Sequence, residues 1–183
     1  PLKVMVALAN EVRADPWFCI PHLATMNYVY NFAKYVHDNL ATTLKAHFEY
    51  SNEVWNWQFG QAQWANTEGL ALWPGQADAW VQYYAGRAVQ MARNINTAYG
   101  ANISRAVKVI ATQTGYRGLE DAILEAPNWL TSDGGTAIPA TYFAMHDWHK
   151  ASDPFYHLYP QDPKSSHNQQ AGYHAHPREW LYP

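Results

Sequence analysis

Hydrophobic residues recur along the chain with two different periods, and these periods predict its helices and strands. A spacing of three to four residues predicts a helix between Thr25, a capping residue, and Leu40. Strict alternation predicts a strand at residues 44–50, and short apolar runs predict buried strands. Residues 2–12 are apolar throughout and fit either element, and Pro1 favours a helix there. The predicted order is helix 2–12, strand 17–20, helix 25–40, strand 44–50, helix 80–100, strand 106–111, helix 118–125 and strand 136–145.

Strands that alternate with helices predict an α/β fold with a parallel sheet and right-handed crossovers. Ligands of such folds bind at the carboxyl ends of the strands. The connection predicted over residues 51–75 starts at one of these ends and contains four tryptophans and one phenylalanine. Connections of this length inside compact domains are often functional. The first place to look for chemistry is therefore the end of the strand at residues 44–50.

The tail, residues 146–183, has a different composition from the rest of the chain. It holds six of the nine histidines and five of the eleven prolines, with only two Leu, Ile or Val residues. A segment with so little aliphatic area predicts an irregular extension that docks, if at all, through its tyrosines and tryptophans. A frameshift or fusion is the alternative explanation for so abrupt a change.

Composition excludes some classes of function and favours one. The formal charge of -3 predicts no nucleic-acid partner, and the absence of a long apolar run predicts no membrane span. We expect no signal peptide and no cofactor, and Cys19, the one cysteine, is predicted to be a buried, inert thiol in WFCI. Nine tryptophans and thirteen tyrosines favour a carbohydrate ligand, because aromatic rings stack on sugar rings.

The stretch YSNEVWN carries the chemistry that fits such a ligand. Glu53 follows the predicted strand, and a carboxylic acid placed there can donate a proton to a glycosidic oxygen. Asn52 can hydrogen-bond a sugar 2-hydroxyl, a contact that strengthens in an oxocarbenium-like transition state. Asn52 and Glu53 therefore make chemical sense as a unit.

Three stretches carry a resemblance to a known family: LANEVRADPWFCIPH, FEYSNEVWNWQFGQ and ATQTG. Over about residues 1–145 the chain resembles the clan A (β/α)8 retaining glycoside hydrolases, in particular cellulase-like bacterial members, and similar proteins described as cellulose-binding. The resemblance implies a partial TIM-barrel domain at 1–145 with strands three to six at 17–20, 44–50, 105–112 and 137–145. It implies hydrolysis of β-linked glycans, with Glu53 as acid/base and Asn52 as its substrate-binding neighbour. A secreted or periplasmic bacterial location would follow.

Other residues near predicted strand ends are candidates for substrate binding. His22 either contacts substrate, orients Glu53 or is structural, while the two tryptophans after Glu53 either line subsites or pack beneath the connection. Glu49 lies four residues before Glu53, which predicts a structural hydrogen-bonding or ion-pair role. The substrate-binding candidates are His22, Tyr50, Trp55, Trp57, Gln113 and Tyr142, with His146 near the last of them.

A retaining mechanism needs a second carboxylate about 5–5.5 Å from the first. Glu179, in HPREWLYP, is the only glutamate of the tail and does not lie in a strand-like pattern. Two alternatives stay open: a non-catalytic carbohydrate-binding protein, and a metal-binding protein that uses tail histidines such as those of HDWH. Strands one, two, seven and eight of a barrel are also not evident, and the open sheet edges of a partial barrel predict oligomerisation or poor solubility.

Overall fold

The computed structural model describes residues 1–113, 116 and 118–132. Their helices and strands follow one another in the order α1 Leu2–Val12, β1 Trp17–Ile20, α2 Met26–Asn39, β2 Ala46–Tyr50, α3 Gly60–Leu72, α4 Ala79–Tyr99, a 3-10 helix Gly100–Arg105, β3 Ala106–Val109, α5 Leu119–Glu125 and α6 Pro127–Ser132. The three strands form one parallel sheet in the order β1-β2-β3. The α/β class and the parallel sheet predicted from the sequence are confirmed.

Most predicted elements occur where the periodicity places them, and local contacts explain the shifts. Thr25 caps α2, since its Oγ1 accepts a 3.2 Å hydrogen bond from the Tyr28 amide. The strand predicted from residue 44 begins instead at Ala46, because the Lys45 amide donates to the Asp15 carboxylate at 2.8 Å rather than to a strand. The strand predicted to reach residue 111 ends at Val109, and the Ala111 amide donates to a tyrosine hydroxyl at 2.7 Å.

The prediction of an irregular connection over residues 51–75 is wrong, because α3 occupies Gly60–Leu72. The side chains that this helix buries are Ala62, Ala65 and Gly69. Their spacing is helical, but the prediction depended on the spacing of large apolar residues, and the buried face of this helix consists of alanine and glycine. Helix α6 was not predicted either. The strand predicted at 136–145 and the tail at 146–183 lie outside the described residues.

The chain divides into two compact units. The first unit comprises Pro1–Asn52 and Arg87–Val109, and the second comprises Glu53–Gly86 with the described residues from Ile110 onward. The chain passes from the second unit to the first within α4, between Gly86 and Arg87.

In the first unit, helices cover one face of the sheet. Phe18 and Phe48 are register partners on β1 and β2 and lie on that face, with the Phe18 ring 5.3 Å from Phe32 of α2 and the Phe48 ring 6.0 Å from Tyr99 of α4. The other face is accessible at β1, since Trp17 is 45% exposed and Cys19 is also exposed. It is buried farther across the sheet, where the register partners Glu49 and Val109 are 7% and 2% exposed.

In the second unit, small residues let helices approach closely. A Cβ atom at Gly69 of α3 would lie 2.5 Å from the Ala79 carbonyl oxygen at the start of α4. A Cβ at Gly86 would lie 2.1 Å from the indole of Trp129 of α6, so glycine is what allows this tryptophan to pack against α4. Trp129 is buried and belongs to the core of this unit.

Candidate active site

The Asn-Glu pair directly follows the carboxyl end of β2, as the sequence predicts. The strand ends at Tyr50, Ser51 is buried, Asn52 is exposed and Glu53 is partly exposed. Glu53 adopts a positive φ of 47°, a left-handed conformation that is uncommon for residues other than glycine. The division between the two units falls between Asn52 and Glu53, so the motif contributes one residue to each unit.

A tight turn after Glu53 holds its carboxyl group. The Asn56 amide donates a 2.9 Å hydrogen bond to the Glu53 carbonyl, and the Asn56 side chain donates through Nδ2 to Glu53 Oε2 at 3.1 Å. A neutral donor thus fixes one carboxyl oxygen and leaves the group accessible on its other side. In the part of the chain that the structure describes, no hydrogen bond links this carboxyl to a second carboxyl group. Glu179 lies outside that part.

Tyr50 and His22 belong to a network in the first unit. Tyr50 is 1% exposed, and its hydroxyl donates to the His22 carbonyl oxygen at 2.5 Å. Arg87 donates through Nε to the same hydroxyl at 3.1 Å and through a terminal nitrogen to the Ala24 carbonyl at 2.9 Å. Tyr50 therefore has almost no surface with which to contact a substrate, and its position fits support of the segment after β1.

His22 is partly exposed at the carboxyl end of β1. Desolvation by its surroundings lowers the pKa of the imidazole. At neutral pH the ring is therefore neutral, with one nitrogen as donor and the other as acceptor. A group of this kind can hydrogen-bond a hydroxyl in either direction.

The aromatic residues after Glu53 differ in exposure. Trp57 is 49% exposed, and its ring lies 5.0 Å from that of Trp80. Trp55 is partly exposed and Phe59 is 38% exposed. Gln113, predicted to bind sugar hydroxyls, is an exposed residue of the second unit. Tyr142 and His146 lie outside the described residues.

A second cluster lies on the accessible face of the sheet in the first unit. Trp17 donates through Nε1 to Glu49 Oε2 at 2.9 Å, and its ring stacks on that of His47 at 5.3 Å with an interplanar angle of 4°. The structural hydrogen-bonding role predicted for Glu49 is confirmed by this contact. The Cys19 sulfur lies 4.0 Å from Glu49 Oε2 and 3.9 Å from Asn52 Oδ1.

The prediction of a buried Cys19 is wrong, because its side chain is exposed on the accessible face of the sheet. Strand parity decides this: Phe18 and Ile20 point into the core, so the residue between them points out. Partial desolvation and the Glu49 carboxylate raise the pKa of the thiol to about 11. The thiol is therefore protonated at neutral pH, and its inertness stays a prediction.

Other features of the described chain bear on function as well. Within residues 1–113, 116 and 118–132, no group of three His, Cys, Asp or Glu side chains is arranged to hold a metal ion. No helix in the same residues is long and apolar enough to cross a membrane. The tail histidines lie outside these residues. Comparison with protein-family models, with curated proteins and with solved structures gives no match.

Four residues of these sites were not among the candidates predicted from the sequence: Asn56, Trp17, His47 and Arg87. Asn56 had a local signal, since asparagine three residues after Glu53 suits a turn. The other three are distant in sequence from their partners. Only the strand register and the packing of α4 bring them together.

Proposed function

We propose that this chain is part of a retaining β-glycoside hydrolase of the cellulase type, built on a partial (β/α)8 framework. Glu53 acts as general acid/base and Asn52 as its substrate-binding neighbour. The observation that carries the proposal is the placement of Glu53. Its carboxyl follows the carboxyl end of a central parallel strand, is accessible, and is fixed by a neutral donor, Asn56 Nδ2, at 3.1 Å.

The chemistry asked of Glu53 is proton transfer in both directions. As an acid it protonates the leaving glycosidic oxygen, and as a base it later takes a proton from water. The amide of Asn56 can bond the carboxyl in either protonation state, because a protonated acid still has an acceptor oxygen. The left-handed backbone at Glu53 is the kind of local strain that occurs at functional sites.

Aromatic residues supply the surface for a glycan. Trp57 exposes about half of its area next to Trp80, which holds the ring from one side. A pyranose presents an apolar C–H face to such a ring and directs its hydroxyls to polar groups nearby. Because the Trp80 ring already restricts the Trp57 side chain, Trp57 loses little conformational entropy when a sugar binds to it.

Hydrolysis of two aryl β-glycosides, with a good and a poor leaving group, tests the role of Glu53. A missing general acid slows the poor leaving group far more than the good one, since the latter needs no proton. We expect Glu53→Gln to reduce kcat on the poor leaving group by about 10²–10⁴-fold and to spare the good one at its first step. Glu68→Gln, in α3 of the same unit, is the matched control and should behave as wild type. Equal rates for Glu53→Gln and wild type on both substrates would sink the proposal.

A second function, glycan binding without hydrolysis, is favoured by a different observation. Trp57 is 49% exposed and its ring lies 5.0 Å from that of Trp80, so it offers a sugar a stacking surface that needs no second carboxylate. Calorimetric titration with a soluble β-1,4-linked glucose tetramer separates the two functions. Binding without turnover, unchanged by Glu53→Gln, supports this second function.

A further inference from the structure

Two contacts hold the Trp17 indole in a fixed orientation. Trp17 and His47 are register partners on neighbouring parallel strands, so their side chains stand side by side on the same face of the sheet. The rings are parallel within 4° at 5.3 Å, which sets the plane of the indole. The 2.9 Å hydrogen bond from Nε1 to Glu49 Oε2 sets its rotation within that plane.

Among the described residues, the Trp17 indole has one ring contact, which is with His47. His47 covers the side towards β2, and among the described residues β1 pairs with β2 and with no other strand. The second face of the ring is therefore directed outward, beyond the edge of the sheet. Trp17 is 45% exposed, although a tryptophan ordinarily gains more from burial than any other side chain. The folded unit therefore leaves nearly half of this large apolar side chain exposed to solvent.

A rigid, exposed ring beside hydrogen-bonding groups has the properties of a sugar platform. An apolar ring face accepts the C–H face of a pyranose, and a ring already held in one rotamer loses little entropy on binding. The imidazole of His47, which is partly exposed, adjoins the indole and can bond hydroxyl groups. The buried Glu49 carboxylate beside the indole and the formal charge of -3 disfavour nucleotides and other anions, which would otherwise suit a flat ring.

We propose that Trp17 is the platform of a glycan subsite, at which a neutral pyranose stacks on the outer face of the indole. The glycan class rests on the proposed function, but Trp17 itself lies outside the Asn-Glu motif. Short contacts connect the two on this face of the sheet: Trp17 Nε1 lies 2.9 Å from Glu49 Oε2, Glu49 Oε2 lies 4.0 Å from the Cys19 sulfur, and that sulfur lies 3.9 Å from Asn52 Oδ1. The platform would therefore hold a sugar unit close to the one that Asn52 contacts.

Titration with the β-1,4-linked glucose tetramer, followed by calorimetry and by ligand-observed NMR, tests the subsite. We expect Trp17→Ala to weaken binding about tenfold, as for loss of a stacking contact, and Trp17→Phe to restore part of it because a ring remains. Tyr28→Ala is the matched control: Tyr28 is 47% exposed, belongs to the same unit and lies on α2. It should bind as wild type does. Circular dichroism and melting of each variant establish that the fold is kept.

Glu53→Gln separates this subsite from the proposed reaction, since it should abolish hydrolysis and leave tetramer binding at Trp17 unchanged. If Glu53→Gln hydrolyses normally while Trp17→Ala still loses affinity, the reaction proposal fails and the subsite stands. Wild-type affinity in a folded Trp17→Ala or Trp17→Phe protein, or no tetramer binding by wild type, overturns the subsite. So does a Trp17→Ala protein that changes only its oligomeric size in gel filtration, because the ring would then be a contact between copies of the chain.

Discussion

The Arg87 guanidinium carbon lies 5.5 Å from the centre of the Tyr50 ring, and its Nε donates to the Tyr50 hydroxyl at 3.1 Å. That hydroxyl in turn donates to the His22 carbonyl. One buried tyrosine at the end of β2 therefore joins α4 to the segment that follows β1. In the described part of the chain, the hydrogen-bond partners of Arg87 are all neutral, so the contact over the ring also stabilises its charge.

Removal of this hydroxyl should be costly. Tyr50→Phe removes the hydroxyl that donates to the His22 carbonyl and accepts from Arg87 Nε, and we expect the free energy of unfolding to fall by about 1–2 kcal/mol. Urea unfolding followed by circular dichroism measures this change. Tyr28→Phe, at an exposed position of α2, is the control and should change stability by less than about 0.5 kcal/mol. A Tyr50→Phe protein as stable as wild type would show that the network contributes nothing.

The positive φ at Glu53 should invert the usual order of alanine and glycine. A left-handed residue with a Cβ atom is disfavoured by about 1–2 kcal/mol, while glycine loses more chain entropy on folding. We therefore expect Glu53→Gly to be about 0.5–1 kcal/mol more stable than Glu53→Ala in denaturant unfolding. Gln63, exposed within α3 of the same unit, provides the matched comparison, where alanine should be the more stable by about 1 kcal/mol. The same order at both positions would contradict the left-handed conformation.

Gly69 should not tolerate a methyl group, since its Cβ would lie 2.5 Å from the Ala79 carbonyl oxygen. A backbone atom cannot turn aside, so α3 and α4 must separate, and we expect Gly69→Ala to cost about 1–3 kcal/mol. At Gly60, at the start of the same helix, an added Cβ would meet no atom within 4 Å. Gly60→Ala should be neutral or slightly stabilising by thermal unfolding. Equal melting temperatures for the two variants would refute close packing at Gly69.

Lys108 should give the protein a stability that rises at high pH. The residue is 8% exposed, and burial lowers the pKa of its amine. Between that lowered value and the unfolded value of about 10.4, the unfolded chain binds more protons, so the free energy of unfolding increases with pH in this window. At pH values below this window the Lys108 amine is charged in both states, and burial of the charge lowers the free energy of unfolding by its full amount. Lys108→Met should therefore be more stable than wild type at pH 7, by on the order of 1 kcal/mol.

The advantage of Lys108→Met should shrink as the pH rises through the same window. Urea unfolding at several pH values between 7 and the unfolded lysine value of about 10.4 measures the trend. Lys45→Met, at an exposed position, is the control for the loss of one lysine charge. A constant difference between Lys108→Met and wild type would mean that the folded and unfolded amines titrate alike.

Cys19 should be slow to alkylate although it is exposed. A pKa of about 11 in place of 9.0 makes the thiolate about a hundredfold rarer at neutral pH, while the more basic thiolate is the better nucleophile. We expect iodoacetamide at about pH 7.5 to react about tenfold more slowly with the folded protein than with the urea-unfolded chain. The rate should climb up to about pH 11. Glu49→Gln removes the second cause of the raised pKa and should quicken the reaction; an unchanged rate would remove Glu49 as a cause.

Local sequence was sufficient for much of the framework. The bounds of β1 agree with the prediction residue for residue, and Thr25 caps α2 as its side chain predicts. Both predictions depend only on neighbours within a few positions. Helix α3 escaped the same reasoning because its buried face consists of Ala62, Ala65 and Gly69. A buried face of such small residues can be recognised only when the helix that packs closely against it is known.

The sequence by itself determined the alternation of helices and strands, the parallel sheet, and the place of Asn52 and Glu53 at a strand end, because period and turn chemistry are local properties. Tertiary structure decided which distant side chains meet. Trp17 reaches His47 only through the register of β1 on β2, and Arg87 reaches Tyr50 only because α4 packs across the strand end. These contacts join residues about thirty or more positions apart, and their geometry depends on the whole packed unit rather than on any stretch of the chain.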